Sequence, residues 1–173
     1  MRHLLLAIIA VFLPASAFAC DTEKGEQPLF SCETENEGQY IAICAIETEP
    51  GQKWQGIHYE YGTDEKTSFV YPSDGSDGAR SMFFSHVKKN GWYDVTIRFV
   101  SDGITYRVYS RALSEMEGEA GVTVDNTARP SMTSIACSER PYMFPEYLRR
   151  ALACDMENPL GAKACEENPP EEP

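Results

Sequence analysis

Basic residues are scarce in this chain. Fifteen Lys and Arg stand against 27 Asp and Glu, a formal charge of −12. Binding phosphates needs a basic face, so nucleic acid is excluded as a partner and a basic protein is the better electrostatic match. Histidine is scarcer still, with three in 173 residues. The sequence holds no Gly-x-Ser-x-Gly elbow, no Gly-rich phosphate loop and no His-x-x-x-His spacing. It therefore lacks the signatures of a serine hydrolase, a P-loop and a zinc helix. No two cysteines stand as C-x-x-C, which argues against a structural zinc. Neither a cofactor nor a metal site is expected. Long hydrophobic runs are also missing. The longest, residues 4–13, has ten residues, about half of what a spanning helix needs.

That short run reads as a secretory leader. Arg2 and His3 precede it, Pro14 and small residues follow, and Ala17-Phe18-Ala19 fits a small-x-small cleavage site before Cys20. Residues 1–19 are therefore assigned to a signal peptide. Loss of Arg2 takes the mature chain from −12 to −13. Lipidation of Cys20 is the weaker alternative, because Ala17 and Phe18 replace the usual Leu and small residue at the third and second positions before it. No transmembrane segment is expected in the mature chain, and its localisation is periplasmic or secreted.

All six cysteines (Cys20, Cys32, Cys44, Cys137, Cys154 and Cys165) lie in the mature part. An even count in an exported chain predicts three disulfides, each contributing about 2–4 kcal/mol. Fifteen pairings remain open. None of the six lies between Cys44 and Cys137, so a β core between them must hold itself together.

The middle of the chain reads as strands and turns. Candidate strands cover residues 29–34, 39–46, 55–61 and 66–71. In the third, Ile57, Tyr59 and Tyr61 fall on one side and His58 and Glu60 on the other. Asn90-Gly91 and Asp102-Gly103 are dipeptides of type I′ hairpins. Read as two-residue turns, they set Phe84 opposite Ile97, His86 opposite Val95, Phe99 opposite Tyr106 and Ile97 opposite Val108. Met82, Phe84, Val95, Ile97, Phe99, Tyr106 and Val108 then share one face, which a one-residue slip would scramble. Residues 114–121 form a polar link, and residues 122–124 and 132–137 are two further short strands. Phe144, Tyr147, Leu148, Ala151 and Leu152 make an apolar helical stripe over residues 144–154. Beyond Cys154, six acids face Lys163 alone, with four prolines. Residues 155–173 are expected to be a disordered acidic tail.

The expected fold is mainly β: an antiparallel meander forming a partial barrel or sandwich, with one C-terminal amphipathic helix, all in a single disulfide-bonded domain over residues 20–154.

The outer face of the meander carries the candidate binding residues. The register sets Arg98 against Arg107, with Phe83 on its other side and Asp94 opposite Arg111. Like charges across strands are unfavourable. Two readings stand. Arg98 and Arg107 make an anion- or partner-binding spot with Phe83 beneath a guanidinium, joined by Tyr109 among the interface tyrosines, or loop acids neutralise both arginines. His58 and His86 read as half-buried histidines, and Glu60 as a solvated outward acid. No catalytic residue is assigned.

Phe30-Ser31-Cys32-Glu33-Thr34, Tyr40-Ile41-Ala42-Ile43-Cys44, Tyr59-Glu60-Tyr61-Gly62 and Val70-Tyr71-Pro72 resemble the recurring motifs of a group of small exported bacterial proteins of unassigned function. The resemblance spans residues 29–72 and implies no activity. A looser likeness is to periplasmic lysozyme inhibitors, which are also small, exported and disulfide-bonded. Their Ser-Gly and Lys-Gly inhibitory loops are not evident here. The expected function is a non-catalytic envelope binding module; an inhibitor of a basic cell-wall hydrolase and a loop-assembled hydrolase are the alternatives.

Overall fold

The computed structural model describes residues 19–113, 118–126, 131–168 and 170–171. Residues 1–18 of the expected leader (1–19) and residues 114–117 of the expected polar link lie outside the described residues. Strands β1 (Glu26–Glu33), β2 (Gln39–Glu49), β3 (Lys53–Thr63) and β4 (Lys66–Tyr71) form one antiparallel sheet in sequence order, with the short β10 (Tyr142–Met143) beside β1. The second sheet runs β5 (Phe83–Lys89), β6 (Trp92–Ser101), β7 (Ile104–Ala112), β8 (Gly118–Asn126) and β9 (Ser131–Ala136). The two-residue β11 (Ala153–Cys154) pairs parallel to β5. The sheets pack as a mainly β molecule and do not close into a barrel.

The meander has the expected register throughout. Phe84 pairs with Ile97, His86 with Val95, Phe99 with Tyr106 and Ile97 with Val108. Asn90 and Asp102 take positive φ (54° and 51°), as do Gly91 and Gly103, which a type I′ turn requires at both central residues. Met82, Phe84, Val95, Ile97, Phe99 and Val108 are buried between the sheets, with Tyr106 packed at the margin. Ile41, Ile43, Ile57 and Tyr59 meet them from the first sheet. Burial at about 25 cal/mol per Å2 of apolar surface makes this face the main source of stability.

The outer face of the first sheet has a small second core of Cys20, Tyr40, Ala42 and Cys44. The Cys20–Cys44 disulfide holds the N-terminal segment on that face. Cys32–Cys137 joins β1 to the residue after β9, where Thr34 and Cys137 form a β-bridge between the sheets.

Three expectations are corrected. Residues 118–121, expected in the polar link, open β8 instead, paired with β7. The helix α1 spans only Pro145–Ala151 rather than 144–154; Leu152 leaves helical geometry with ψ 157°, and Ala153 and Cys154 become strand beside Phe83 and Phe84. Edge pairing outweighs one further turn of helix, because β5 would otherwise leave its backbone groups without partners. The acidic segment after Cys154 is ordered where it is described. Asp155 is buried, Cys154–Cys165 closes a short loop around a 3-10 turn at Gly161–Cys165, and Pro170 accepts a hydrogen bond from the Lys88 amide at 2.7 Å. Composition pointed to a free tail, but a disulfide and an open sheet edge supply the binding energy it lacks in apolar surface.

The disulfides differ in the chain they enclose: 105 residues for Cys32–Cys137 against 11 for Cys154–Cys165. Loop entropy grows with length, so removing the first by C32A/C137A costs about 4–5 kcal/mol and removing the last by C154A/C165A about 3 kcal/mol. Denaturant unfolding of the two variants checks the order, and a larger loss for the short loop would contradict it.

Candidate functional site

Among the described residues, the two larger of three concave surfaces lie on the outer faces of the two sheets. The first, of about 580 Å3, lies over the meander and contains Arg98 and Arg107. Arg98 is 7% exposed. Its Nε donates to Asp155 Oδ2 at 2.9 Å and its Nη2 to Asp155 Oδ1 at 2.7 Å, while Nη1 meets Glu157 at 3.2 Å. Phe83 lies beneath the guanidinium, 4.9 Å from ring centre to Cζ. All three nitrogens are thus spent on carboxylates, and the anion-binding reading fails at Arg98. Arg107 is half exposed and faces Asp125 at 3.8 Å. Arg111 pairs with Asp94 at 2.7 Å and Glu119 at 3.2 Å and lies over Tyr109, 5.2 Å from its ring centre. Phe83, Arg98, Arg107 and Tyr109 therefore do share one face, but as a self-neutralised array. Asp155 was missed because it follows the last strand by one residue and reads as the start of an acidic tail.

A bidentate pair with both side chains under 10% exposed is weak evidence for stability while intact but costly to break. Asp155→Ala leaves Arg98 with the exposed Glu157 alone and lowers unfolding free energy by about 3 kcal/mol. The apolar double variant R98M/D155L recovers most of that loss. A D155A protein as stable as the parent in denaturant titration would show that the pair does not hold the C-terminal segment.

The second surface, of about 710 Å3, lies on the outer face of the first sheet. Asp21, Glu26, Glu60, Asp64 and Glu65 line it, against Lys24 and Lys66. His58 lines it as well. The alternation that sends Ile57 and Tyr59 into the core sends His58 and Glu60 outward. A bulge sharpens their placement. Cys44 pairs with His58 but Ile46 with Gln55, so Ala45 is opposed by both Gly56 and Ile57. Gly56 takes φ +63°, the left-handed geometry that suits glycine at such a bulge. Asp77 accepts from the Gly56 and Ile57 amides that the bulge frees, at 3.0 and 3.4 Å. The Gly56 carbonyl is left 2.8 Å from His58 Nδ1.

The other ring nitrogen faces acids. His58 Nε2 lies 3.1 Å from Glu60 Oε1 and 3.8 Å from Glu26 Oε2. The side chains of His58, Glu26 and Glu60 are only 16%, 11% and 16% exposed. Tyr40 donates its hydroxyl to Glu60 Oε2 at 3.3 Å, and the Asp21 amide donates to Glu26 Oε2 at 3.1 Å. Glu60 is thus a bonded, largely covered acid rather than a solvated one. The signal for the bulge was present in the sequence as a glycine interrupting an alternating strand; the arrival of Glu26 from β1 was not. Neither His58 nitrogen faces a hydroxyl or thiol, so the arrangement is not a nucleophile–base pair.

His86 is half-buried, and its Nδ1 is buried without a hydrogen-bond partner. The rings of Phe84 and Tyr93 lie beside it. The chain matches no family model, no curated protein and no solved structure.

The two histidines are shifted in opposite directions from their ordinary value. The hydrogen bond to Glu60 raises His58 above its ordinary 6.5, against the cost of burial. Burial, then the Arg149 charge, lowers His86 below 6.5, with Asp94 opposing. The stability that His58 contributes is complete below pH 6.5 and fades as pH rises through its folded-state value; that of His86 is complete above 6.5 and is lost as pH falls toward its own. An NMR titration of both rings, with a chelator present, places the His58 midpoint above that of His86, and the reverse order would refute this electrostatic account.

Proposed function

We propose that this chain is an exported, non-catalytic binding module of the cell envelope whose partner is a basic protein. Three disulfides fit an oxidising, extracytoplasmic compartment. Among the described residues no helix is long and apolar enough to cross a membrane. The reading takes the periplasm or the medium as the working place, in keeping with the leader-like start of the sequence.

The observation that carries the reading is the acid-lined concavity on the outer face of the first sheet. Five carboxylates face it against two lysines, on a strand frame pinned by the Cys20–Cys44 bridge. A rigid acidic cleft loses little conformational entropy when a basic side chain enters, and it steers a cationic partner during approach. The Arg98 face offers no such contrast, since each arginine there meets a carboxylate of its own. His58 spends both nitrogens on Gly56 and Glu60, which ranks the binder above the loop-assembled hydrolase. An inhibitor of a basic cell-wall hydrolase is the narrower form of the same reading, in line with the likeness to periplasmic lysozyme inhibitors.

The test uses the mature chain against purified basic and acidic secreted proteins, with lysozyme among the basic ones. The basic set binds with an affinity that falls as salt rises, and D64K/E65K weakens it at least about tenfold, roughly 1.4 kcal/mol. A lysozyme activity assay in the same samples decides the inhibitor form. Equal binding to both sets, or binding indifferent to the charge reversal, removes the proposal.

A further inference from the structure

The groove over the meander holds more polar groups than its ion pairs account for. Side chains alternate along a strand, so Phe84 and Val95, buried in the core, turn Ser85, Asp94 and Thr96 outward, and these three line the groove with Trp92 from the start of β6. The C-terminal segment adds Asp155 and Asn158. Four cations line it, Lys89, Arg98, Arg107 and Arg111, against four acids, Asp94, Glu119, Asp155 and Glu157. The groove is charge-balanced, so a ligand of either sign gains no net attraction on entering it.

Those groups are held in place yet keep hydrogen-bonding capacity. Asp94 accepts from Thr96 Oγ1 at 2.9 Å through one oxygen and from Arg111 Nε at 2.7 Å through the other. Each carboxylate oxygen has two lone pairs, so both can accept again. Asn158 Oδ1 accepts from the Leu160 amide at 3.0 Å, which fixes the side chain while its NH2 group meets no acceptor among the described residues. Arg107 reaches Asp125 only at 3.8 Å, beyond hydrogen-bond length. Ser85 carries the argument furthest. It is 3% exposed, stands on the outer face opposite Thr96, and its hydroxyl bonds to no described residue. A hydroxyl at that depth without a partner is costly, and the groove is the side from which one can come. Trp92, half-exposed, adds a flat aromatic face.

We propose that this groove binds an uncharged saccharide, with Ser85, Asp94, Arg107 and Asn158 bonding its hydroxyls and Trp92 packing on a face of the ring. Sugar hydroxyls donate and accept at once, which matches a surface presenting fixed donors and acceptors side by side. The C–H face of a pyranose is slightly positive and packs on the negative face of an indole. An apolar ligand would leave Ser85 and Asp94 unsatisfied, and an anion or cation would have to break an ion pair already made. The volume, about 580 Å3, falls among small-molecule sites. A free sugar and a sugar unit of a glycan chain share this chemistry. The site lies on the other sheet from the acid-lined cleft and stands or falls independently of the basic-partner reading.

The experiment is calorimetric titration of the mature protein, disulfides intact, with glucose, galactose, N-acetylglucosamine and the β-1,4-linked tetramer of the last. Glucuronate and glucosamine serve as charged counterparts. Circular dichroism verifies the fold of each variant. One saturable site for an uncharged sugar is expected, with an affinity that moves less than about twofold between low and high salt. Tighter binding of the tetramer than of the monomers supports the site and assigns it to a glycan chain; equal binding supports it and assigns it to a free sugar. Trp92→Ala weakens binding at least about tenfold and Ser85→Ala about fivefold, while D64K/E65K on the other sheet leaves it within about twofold. If either groove variant fails to fold, Asn158→Asp carries the decision, since it keeps the acceptor for Leu160 and removes the NH2 donor. Absence of saturable binding by every uncharged sugar overturns the site. Tighter binding of glucuronate or glucosamine than of the uncharged sugars overturns it too, as does an affinity that the folded groove variants leave unchanged.

Discussion

Phe99 stands fully buried between the sheets, with Tyr71 at 4.4 Å, Tyr106 at 4.9 Å and Tyr59 at 5.1 Å between ring centres. Phe69 extends the cluster, stacked on Tyr106 and edge-on to Tyr59. These five rings come from β3 and β4 of one sheet and β6 and β7 of the other, and each such contact adds about 0.5–1.5 kcal/mol beyond the area it buries. The cluster also fixes what lies outside. Side chains alternate along a strand, so Phe99 facing in turns Arg98 out, and Tyr59 facing in turns His58 and Glu60 out. Both concave surfaces are thus set by the same aromatic contacts, each one residue away from a ring in that cluster. A slip of one residue in either strand would exchange them with the core.

The ends of the chain are held by a different means. The aromatic core lies toward β3, β4, β6 and β7, and the edges need partners of their own. At one corner Thr34 pairs with Cys137, and the Cys32–Cys137 bridge locks β1 against the end of β9. On the opposite side of the second sheet, β5 is covered first by β11 and then by residues 170 and 171. An unpaired strand edge is both costly and an invitation to other chains. The C-terminal segment resolves that problem here. It does so with few apolar contacts, which is why it relies on a disulfide, backbone pairing and the Arg98–Asp155 ion pair.

Much of this was legible in the sequence for a definable reason. The two type I′ dipeptides lie close to the strands they join, and a turn of fixed length dictates register over the whole hairpin. Local chemistry therefore determined the burial of Phe84, Ile97, Phe99 and Val108 and the pairing of Arg98 with Arg107. What was not legible depends on residues far apart in the chain. Asp155 reaches Arg98 across 57 positions, and Glu26 reaches His58 only because β1 lies beside β2 and β2 beside β3. Helix length failed at Leu152, where the apolar stripe continues but the chain turns to pair with β5. The pattern of side chains carries the period of an element; it does not carry the competing hydrogen bonds that end it.

The two outer faces treat charge in opposite ways. Over the meander, Arg98, Arg107 and Arg111 each meet Asp or Glu within 4 Å, so the field of that surface closes on itself and little of it reaches solvent. At Arg98 a bound anion would have to displace a carboxylate already held in bidentate geometry. On the first sheet the acids outnumber the lysines, and the one group able to offset them from within, His58, does so fully only when protonated. Part of the chain's excess negative charge is therefore gathered on this face. On the proposed reading, the exposed rim at Asp64 and Glu65 suits a flexible ammonium or guanidinium of a basic partner.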